Sequence, residues 1–267
     1  MKIFEVIYPR NIYIRAVKAI DDAIQNVKYT NEFEPGKIKT TKQYTKAIET
    51  ELKRMLDPIC QECKGKHTGP INLTIRFSDD DLGGTFHQAF DEYTGETFSS
   101  ELSLTVNLSI LGNTYLKFLK LFNKRSEIVH DLAKKFTHEI VHLIQSRKIP
   151  PHAKDNARNH TNVPNEIKGS AQYLGLTKEI EAHASMVAND LLRLTDSDQQ
   201  KALETLKQYM KNPWTIPEHS VMSAYWTFLN QNKGRNWKVQ NTPNPTATAW
   251  NAFCKKVYQH ITNIPTY

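Results

Sequence analysis

The stretch His138-Glu139-Ile140-Val141-His142 lies inside a segment with helical periodicity and is the most informative part of the chain. Residues four apart share one face of a helix, so both imidazoles can bind the same metal ion. Glu139 directly follows the first histidine, where its carboxylate can take a proton from a metal-activated water. The spacing therefore predicts a hydrolytic zinc site with His138 and His142 as ligands and Glu139 as the general base.

The sequence around this motif predicts a helix over residues 126–147. Ser126 is a suitable N-cap, and Pro150 and Pro151 end the helical pattern. The apolar residues recur at helical spacing and form one stripe, which consists of Val129, Leu132, Ala133, Phe136, Ile140, Leu143 and Ile144. Each histidine lies two residues past a member of this stripe, about 200° around the helix. We therefore expect the imidazoles to point away from the main core, toward a cleft.

A catalytic zinc commonly has three protein ligands and one open position, so a third ligand is needed. It is expected from a second predicted helix over residues 177–194, in which two glutamates compete. Glu179 shares a face with His183, and we expect this face to be largely solvated. Glu181 shares a face with small residues such as Ser185, which would let another helix approach closely. This comparison favours Glu181, with Glu179 as the alternative and His183 as the weaker candidate.

The motif and the later Glu-Ile-Glu-Ala segment resemble the zincin metallopeptidases, in the gluzincin arrangement of two histidines and one glutamate. Over roughly residues 100–195 the chain is also similar to small metallopeptidases encoded by bacteriophages. The resemblance implies zinc bound by His138, His142 and Glu181, with Glu139 as the general base in peptide-bond hydrolysis. It further implies a sheet strand whose edge pairs with the substrate backbone, for which residues 102–109 are the candidate.

The fold expected from this resemblance is α+β and zincin-like, with a small mixed sheet, an HExxH active-site helix and a mostly helical C-terminal lobe. We predict an N-terminal lobe over residues 1–148 and a C-terminal lobe over residues 149–267, which together form one catalytic unit. The predicted elements are helices over 11–29, 41–56, 111–122, 197–211, 218–231 and 246–262, and strands over 71–77 and 102–109. Residues 149–176 are predicted to be a cleft wall or lid.

Composition places the chain among globular proteins, with 267 residues, 39% hydrophobic and 24% charged. No apolar run approaches the ~20 residues of a membrane span, and Glu5 interrupts the N-terminal run that a signal peptide would need. Three cysteines, an odd number, favour a reducing compartment without a disulfide framework. We therefore expect a cytoplasmic protein, or one associated with virions, that does not bind membranes.

The expected partner is a peptide or protein substrate, and two alternatives stay open. The first is a non-catalytic structural or virion assembly protein that keeps the zincin fold and its zinc. The second is a nucleic-acid-associated factor, suggested by the net charge of +7. Nucleic-acid binding is the less favoured, because the charges are scattered and no known binding motif accompanies them.

Several further residues are candidates for smaller roles. Cys60, Cys63 and His67 have zinc-like spacing, although free cysteines near a helix end are the favoured interpretation. Asp131 lies one heptad before His138 and could orient its imidazole. The sequence does not choose among the potential donors to the oxyanion of the transition state, which are Arg158, His160, Tyr173, His183, His219 and Tyr225.

Overall fold

The computed structural model describes residues 9–29, 41–64, 71–78, 83–90, 97–107, 125–146, 177–218, 220–231 and 247–263. Its elements are α1 (Pro9–Tyr29), α2 (Thr41–Cys63), β1 (Ile71–Ser78), β2 (Gly83–Phe90), β3 (Thr97–Asn107), α3 (Arg125–Ser146), α4 (Thr177–Leu194), α5 (Gln199–Lys211), a 3-10 turn (Pro213–Thr215), α6 (Val221–Gln231) and α7 (Ala247–Thr262). The chain divides into two compact units. The first comprises Met1–Ile7 and Asn11–His152, and the second comprises Tyr8–Arg10 and Ala153–Tyr267.

The first unit contains a three-stranded mixed sheet in the order β1-β3-β2. β3 runs parallel to β1, with Ser100 opposite Ile71, and antiparallel to β2, with Thr105 opposite Gly83. Helix α2 packs against β1, and α3 packs against β2 and β3. The motif helix therefore lies against the sheet on the side of the β2–β3 pair.

The hydrophobic core of this unit forms where the sequence patterns predict it. The apolar stripe of α3 is buried, as is that of α1, and Ile71, Leu73 and Ile75 alternate with more exposed neighbours along β1. Leu102, Ser103 and Leu104 of β3 are all buried, so both faces of this central strand are covered at these positions. The helices and the small mixed sheet agree with the predicted α+β class.

The prediction that residues 102–109 form a substrate-binding edge is wrong for the part of this segment that the structure describes. β3 pairs with β1 from Ser100 to Asn107 and with β2 from Thr97 to Thr105. Backbone groups on both sides of the strand are therefore already used within the sheet. β1 and β2 are the edges of the sheet as described.

Two predicted helix boundaries also differ from the structure. Helix α2 continues past Pro58 to Cys63, because Ile59, Cys60 and Cys63 extend its buried face into the core, which offsets the backbone hydrogen bond that the proline cannot donate. Helix α3 begins at Arg125, so Ser126 lies in its first turn and does not precede it as a cap. Helix ends commonly differ by a residue or two from a pattern-based assignment.

The second unit is helical in the residues that the structure describes, and α4 and α7 form its most extensive helix pair. The predicted stripe of α4 is buried in a separate core, together with α7 residues such as Phe253 and Val257. Asp198 caps α5, its side chain accepting a hydrogen bond from the backbone N–H of Lys201 at 3.1 Å. Within the described ranges, no helix has both the length and the apolar composition of a membrane span.

Other predictions fall outside the described residues. These are the helix over 111–122, the lid over 149–176, the last two residues of the 102–109 strand, and the potential donors Arg158, His160, Tyr173 and His219. His67, the third residue of the zinc-like spacing with Cys60 and Cys63, also lies outside them.

Candidate metal centre

Helix α3 fixes the motif residues through the burial of its apolar stripe. His138 is 7% exposed and Glu139 is 5% exposed, so neither side chain lies on an open surface. Thr137 is also buried, and its hydroxyl donates to the carbonyl oxygen of Ala133 at 2.7 Å, one turn earlier in the same helix. Polar side chains are costly to bury unless they gain partners. The concentration of three consecutive buried polar residues at this turn therefore points to a functional role for it.

The two imidazoles converge through their Nε2 atoms. His138 Nε2 and His142 Nε2 lie 3.0 Å apart, with ring centroids 4.6 Å apart and ring planes at 89°. Two nitrogens bound to one tetrahedral zinc at normal bond lengths are separated by about 3.3 Å. The observed separation is close to this value, so the two Nε2 atoms are near enough to hold a single ion between them.

Gln145 determines the tautomer of the second histidine. His142 Nδ1 lies 3.1 Å from Gln145 Oε1. An amide oxygen only accepts hydrogen bonds, so Nδ1 carries the proton and donates it. The Nε2 lone pair of His142 is then free of a proton, as a metal ligand requires. Gln145 is not among the candidates named from the sequence, although its i+3 spacing from His142 places the two side chains on one face of the helix.

The described group of potential metal ligands contains Glu179, and not the preferred Glu181. Potential ligand atoms of His138, His142 and Glu179 all lie within 4.8 Å of one another, and these three could hold a metal ion. Glu179 is 4% exposed, so the expectation that its face of α4 is largely solvated is wrong. The expectation failed because a polar residue on a helix can be buried when other polar groups surround it.

Glu181 instead joins α4 to α7. Its carboxylate lies 2.6 Å from Lys256 Nζ and 3.1 Å from His260 Nε2. The interaction with His260, followed by that with Lys256, outweighs the effect of burial and lowers the pKa of Glu181 to about 2. The small residues on its face do allow a second helix to approach closely, but that helix is α7. Glu181, the third ligand preferred from the sequence, is therefore paired with α7 in the described residues.

The remaining candidates have other partners or lie apart from the histidines. Asp131 forms an ion pair with Lys134 at 2.9 Å, on the surface of α3. His183 Nδ1 lies 3.2 Å from the hydroxyl of Tyr225. Cys60 and Cys63 are buried near the end of α2 and form no disulfide. Burial raises the pKa of the Cys60 thiol well above its ordinary range.

Comparison of the chain with protein-family models, with curated proteins and with solved structures gives no match. Its function is therefore inferred from the chemistry of the described side chains.

Proposed function

We propose that the protein is a zinc-dependent peptidase with a zincin-like fold. The observation that carries this proposal is the convergence of His138 Nε2, His142 Nε2 and a Glu179 oxygen beside the buried Glu139. Two histidines and one glutamate are the ligand set of several zinc hydrolases. The packing of the motif helix against a small mixed sheet also supports a zincin-like arrangement.

The donor set fits zinc better than the hard cations. Imidazole nitrogen with one carboxylate oxygen is typical of zinc, whereas calcium and magnesium prefer ligand sets made of oxygen alone. Three protein ligands leave one coordination position open, which distinguishes a catalytic site from a closed structural one. When bound, zinc would supply a Lewis acid that lowers the pKa of a water and polarises a carbonyl group.

In this proposal Glu139 moves the proton. Because it follows His138 on the helix, its carboxylate is held next to the ligand atoms without being one of them. It would accept a proton from the attacking water and deliver it to the leaving nitrogen of the scissile peptide bond. Gln145 would hold the imidazole of His142 in the required tautomer during this exchange.

A substrate peptide could pair with β2. β2 is an edge of the described sheet, and α3 packs against it. An edge strand has unpaired backbone donors and acceptors that can bind an extended peptide. β2 therefore replaces β3 as the proposed substrate-binding strand.

The first experiment measures bound zinc by elemental mass spectrometry in the full chain and in three variants. We expect about one zinc per wild-type chain, retention in Glu139→Gln, and loss in Glu179→Gln. Glu181→Gln is the matched control, because it makes the same chemical change two residues further along α4, at a carboxylate that binds Lys256 and His260. Zinc lost in Glu181→Gln but retained in Glu179→Gln would overturn the ligand assignment.

The second experiment tests catalysis with a peptide library made by digesting a whole proteome. New N-termini that appear with the wild type and not with Glu139→Gln would support the peptidase, since this variant keeps the metal site but lacks the base. Equal cleavage by both would refute the proposed role of Glu139. A zinc-loaded wild type that generates no new N-termini would overturn the peptidase and favour the alternative of a non-catalytic, zinc-containing assembly protein.

A further inference from the structure

A cationic and aromatic surface lies at the C-terminal end of α5, in the second unit. Lys207, Met210 and Lys211 are spaced by three and four residues, so they share one face of the helix, and all three are exposed. Trp214 follows in the 3-10 turn that packs against α5. Its Cα lies within about 11 Å of that of Lys211, because only three residues separate them. We call these four residues the Lys–Trp surface.

Trp214 is held in water on an ordered turn. It is 82% exposed, more than any other large hydrophobic residue that the structure describes. The hydroxyl and the backbone N–H of Thr215 both donate to the carbonyl oxygen of Asn212, at 2.8 and 3.1 Å, and Ile216 is buried in the core of the unit. A single exposed hydrophobic residue is ordinary. An indole fixed beside two lysines, with its aromatic face open, is a more specific arrangement.

The two lysines give this surface a positive charge that nearby residues do not neutralise. Residues 205–217 contain no aspartate or glutamate, and within the described ranges neither Lys207 nor Lys211 forms an ion pair. Glu204 and Glu218 flank the segment, and Glu204 accepts a hydrogen bond from Gln200 at 3.0 Å. The whole chain carries a net charge of +7, which favours the approach of an anionic partner.

Three other partners fit this surface less well. Even a myristoyl chain binds a bilayer only marginally, so one indole and the 44% exposed Met210 supply too little apolar surface for a membrane. A second copy docked by twofold symmetry would set lysines against lysines. A stable protein interface has few charged residues at its centre, whereas here lysines lie on both sides of Met210.

We propose that the Lys–Trp surface binds single-stranded nucleic acid. Proteins that bind single strands combine cations that contact phosphates with aromatic side chains that stack on bases. Lys207 and Lys211 are four residues apart, about 6 Å along the helix axis, and would contact the backbone while a base stacks on Trp214. The charges are scattered along the sequence, but the fold groups two of them beside an exposed indole. This activity goes beyond the proposed function, since none of the four residues is among the candidate metal ligands.

The first test measures binding of the full chain to a fluorescein-labelled oligo-dT of about 16 nucleotides by fluorescence anisotropy. We expect a dissociation constant of about 1–100 µM at physiological salt. Trp214→Leu keeps an apolar side chain but removes the aromatic face, and it should weaken binding about tenfold. It should also lose most of the quenching of tryptophan emission by the oligonucleotide. Tyr258→Leu, which removes a 49% exposed aromatic ring from α7, is the matched control and should bind as the wild type does.

The second test separates the two lysines from the net charge of the chain. Lys211→Gln should weaken binding and reduce the slope of log K against log salt concentration by about 0.7, because one phosphate contact is lost. Lys201→Gln is the control, since it removes the same charge from the same helix at a lysine that pairs with Asp198 at 3.3 Å. We expect its slope to equal that of the wild type. All of these positions are exposed, so the unfolding midpoints should not change.

Four results would overturn the proposal. The wild type could fail to bind oligo-dT even at low salt, or Trp214→Leu could bind it as tightly as the wild type. Equal weakening in Lys201→Gln and Lys211→Gln would mean that the net charge alone attracts the oligonucleotide. Vesicles of phosphatidylserine and phosphatidylcholine test the membrane alternative: if the wild type binds them but not oligo-dT, and Trp214→Leu abolishes vesicle binding, the surface binds lipid. Each result is independent of whether the protein binds zinc or cleaves peptides.

Discussion

Replacing Glu181 with glutamine should destabilise the second unit without removing zinc. The carboxylate lies between Lys256 and His260, so the substitution removes the negative charge that joins α4 to α7. Glutamine has nearly the same shape, and the packing around the site is therefore preserved. Lys256 and His260 would then face a neutral amide, which makes the contact between these helices weaker.

The size of the effect follows from the pKa and from the exposure of the groups. A folded-state pKa of about 2, compared with an ordinary value of 4.5, corresponds to an upper limit of about 3 kcal/mol at neutral pH. Glu181 is 27% exposed and Lys256 is 40% exposed, so solvent screens the interaction. Each exposed ion pair contributes at most about 1 kcal/mol, and Glu181 has two partners, Lys256 and His260. We therefore expect Glu181→Gln to lower the free energy of unfolding by about 1–2 kcal/mol.

Urea unfolding at a series of pH values measures this difference directly. The pKa of Glu181 is depressed in the folded state, so its contribution is fully present above pH 4.5 and is lost as the pH falls toward 2. The wild type and Glu181→Gln should therefore differ most near neutral pH and converge in acid. Glu204→Gln, a change at an exposed position on α5, is the control and should show neither effect.

Two results would refute this reasoning. Equal stability of the wild type and Glu181→Gln at neutral pH would mean that the ion pairs contribute nothing. A difference that stays constant down to pH 2 would show that it arises from packing and not from the charge. Loss of zinc from Glu181→Gln, with its fold intact, would return Glu181 to the metal site.

Three further predictions concern other parts of the molecule. Gln145→Leu should raise the zinc dissociation constant about tenfold or more, because the imidazole of His142 loses its hydrogen-bond acceptor. An unchanged dissociation constant in chelator competition would show that Gln145 does not fix the tautomer of His142. Phe136→Ala should cost about 3–5 kcal/mol in urea unfolding, because this ring is fully buried; a cost below 1 kcal/mol would contradict its place in the core. A chromogenic disulfide reagent should label the three cysteines only when the protein unfolds, because Cys60, Cys63 and Cys254 are all buried. Burial also raises the pKa of Cys254 to about 12, which keeps its thiol protonated and unreactive. Rapid labelling of the native protein would disprove their burial.

Local patterns predicted the helices well, because each helix has an apolar stripe that must be buried. The stripe of α3 and that of α4 are both buried as expected, and the motif histidines lie one turn apart. The end of α2 was misjudged because Pro58 is a local signal against a helix, whereas burial of Cys60 and Cys63 is a tertiary effect that outweighs it.

Helical periodicity could not identify the third ligand from the sequence. Helical geometry correctly placed Glu179 and Glu181 on different faces of α4. It could not say which neighbour each face would meet, and the small residues near Glu181 are consistent with close approach by any helix. In the structure that neighbour is α7, whose Lys256 and His260 occupy the carboxylate. A basic residue and a histidine four residues apart on α7 were a complementary signal in the sequence.

The order of the strands also could not be predicted from the sequence pattern. Alternation along β1 and β3 indicates which residues are buried, but pairing partners are distant in the chain. The central position of β3 comes from its pairing with both other strands. Ser103, between two leucines, is buried although a serine in this pattern suggests a solvent-facing residue.

The order β1-β3-β2 also constrains when the sheet can form during synthesis. The first two strands to be made are not neighbours, and each is joined to the sheet only by the third. The ladder between β1 and β3 cannot be completed until the chain has been translated through Asn107, which pairs with Ser78. The chain is synthesised at about 5–20 residues per second, so β1 would remain unpaired for some seconds before β3 is available. Because β2 and β3 are closer in sequence, we expect them to pair first and β1 to add to a preformed hairpin.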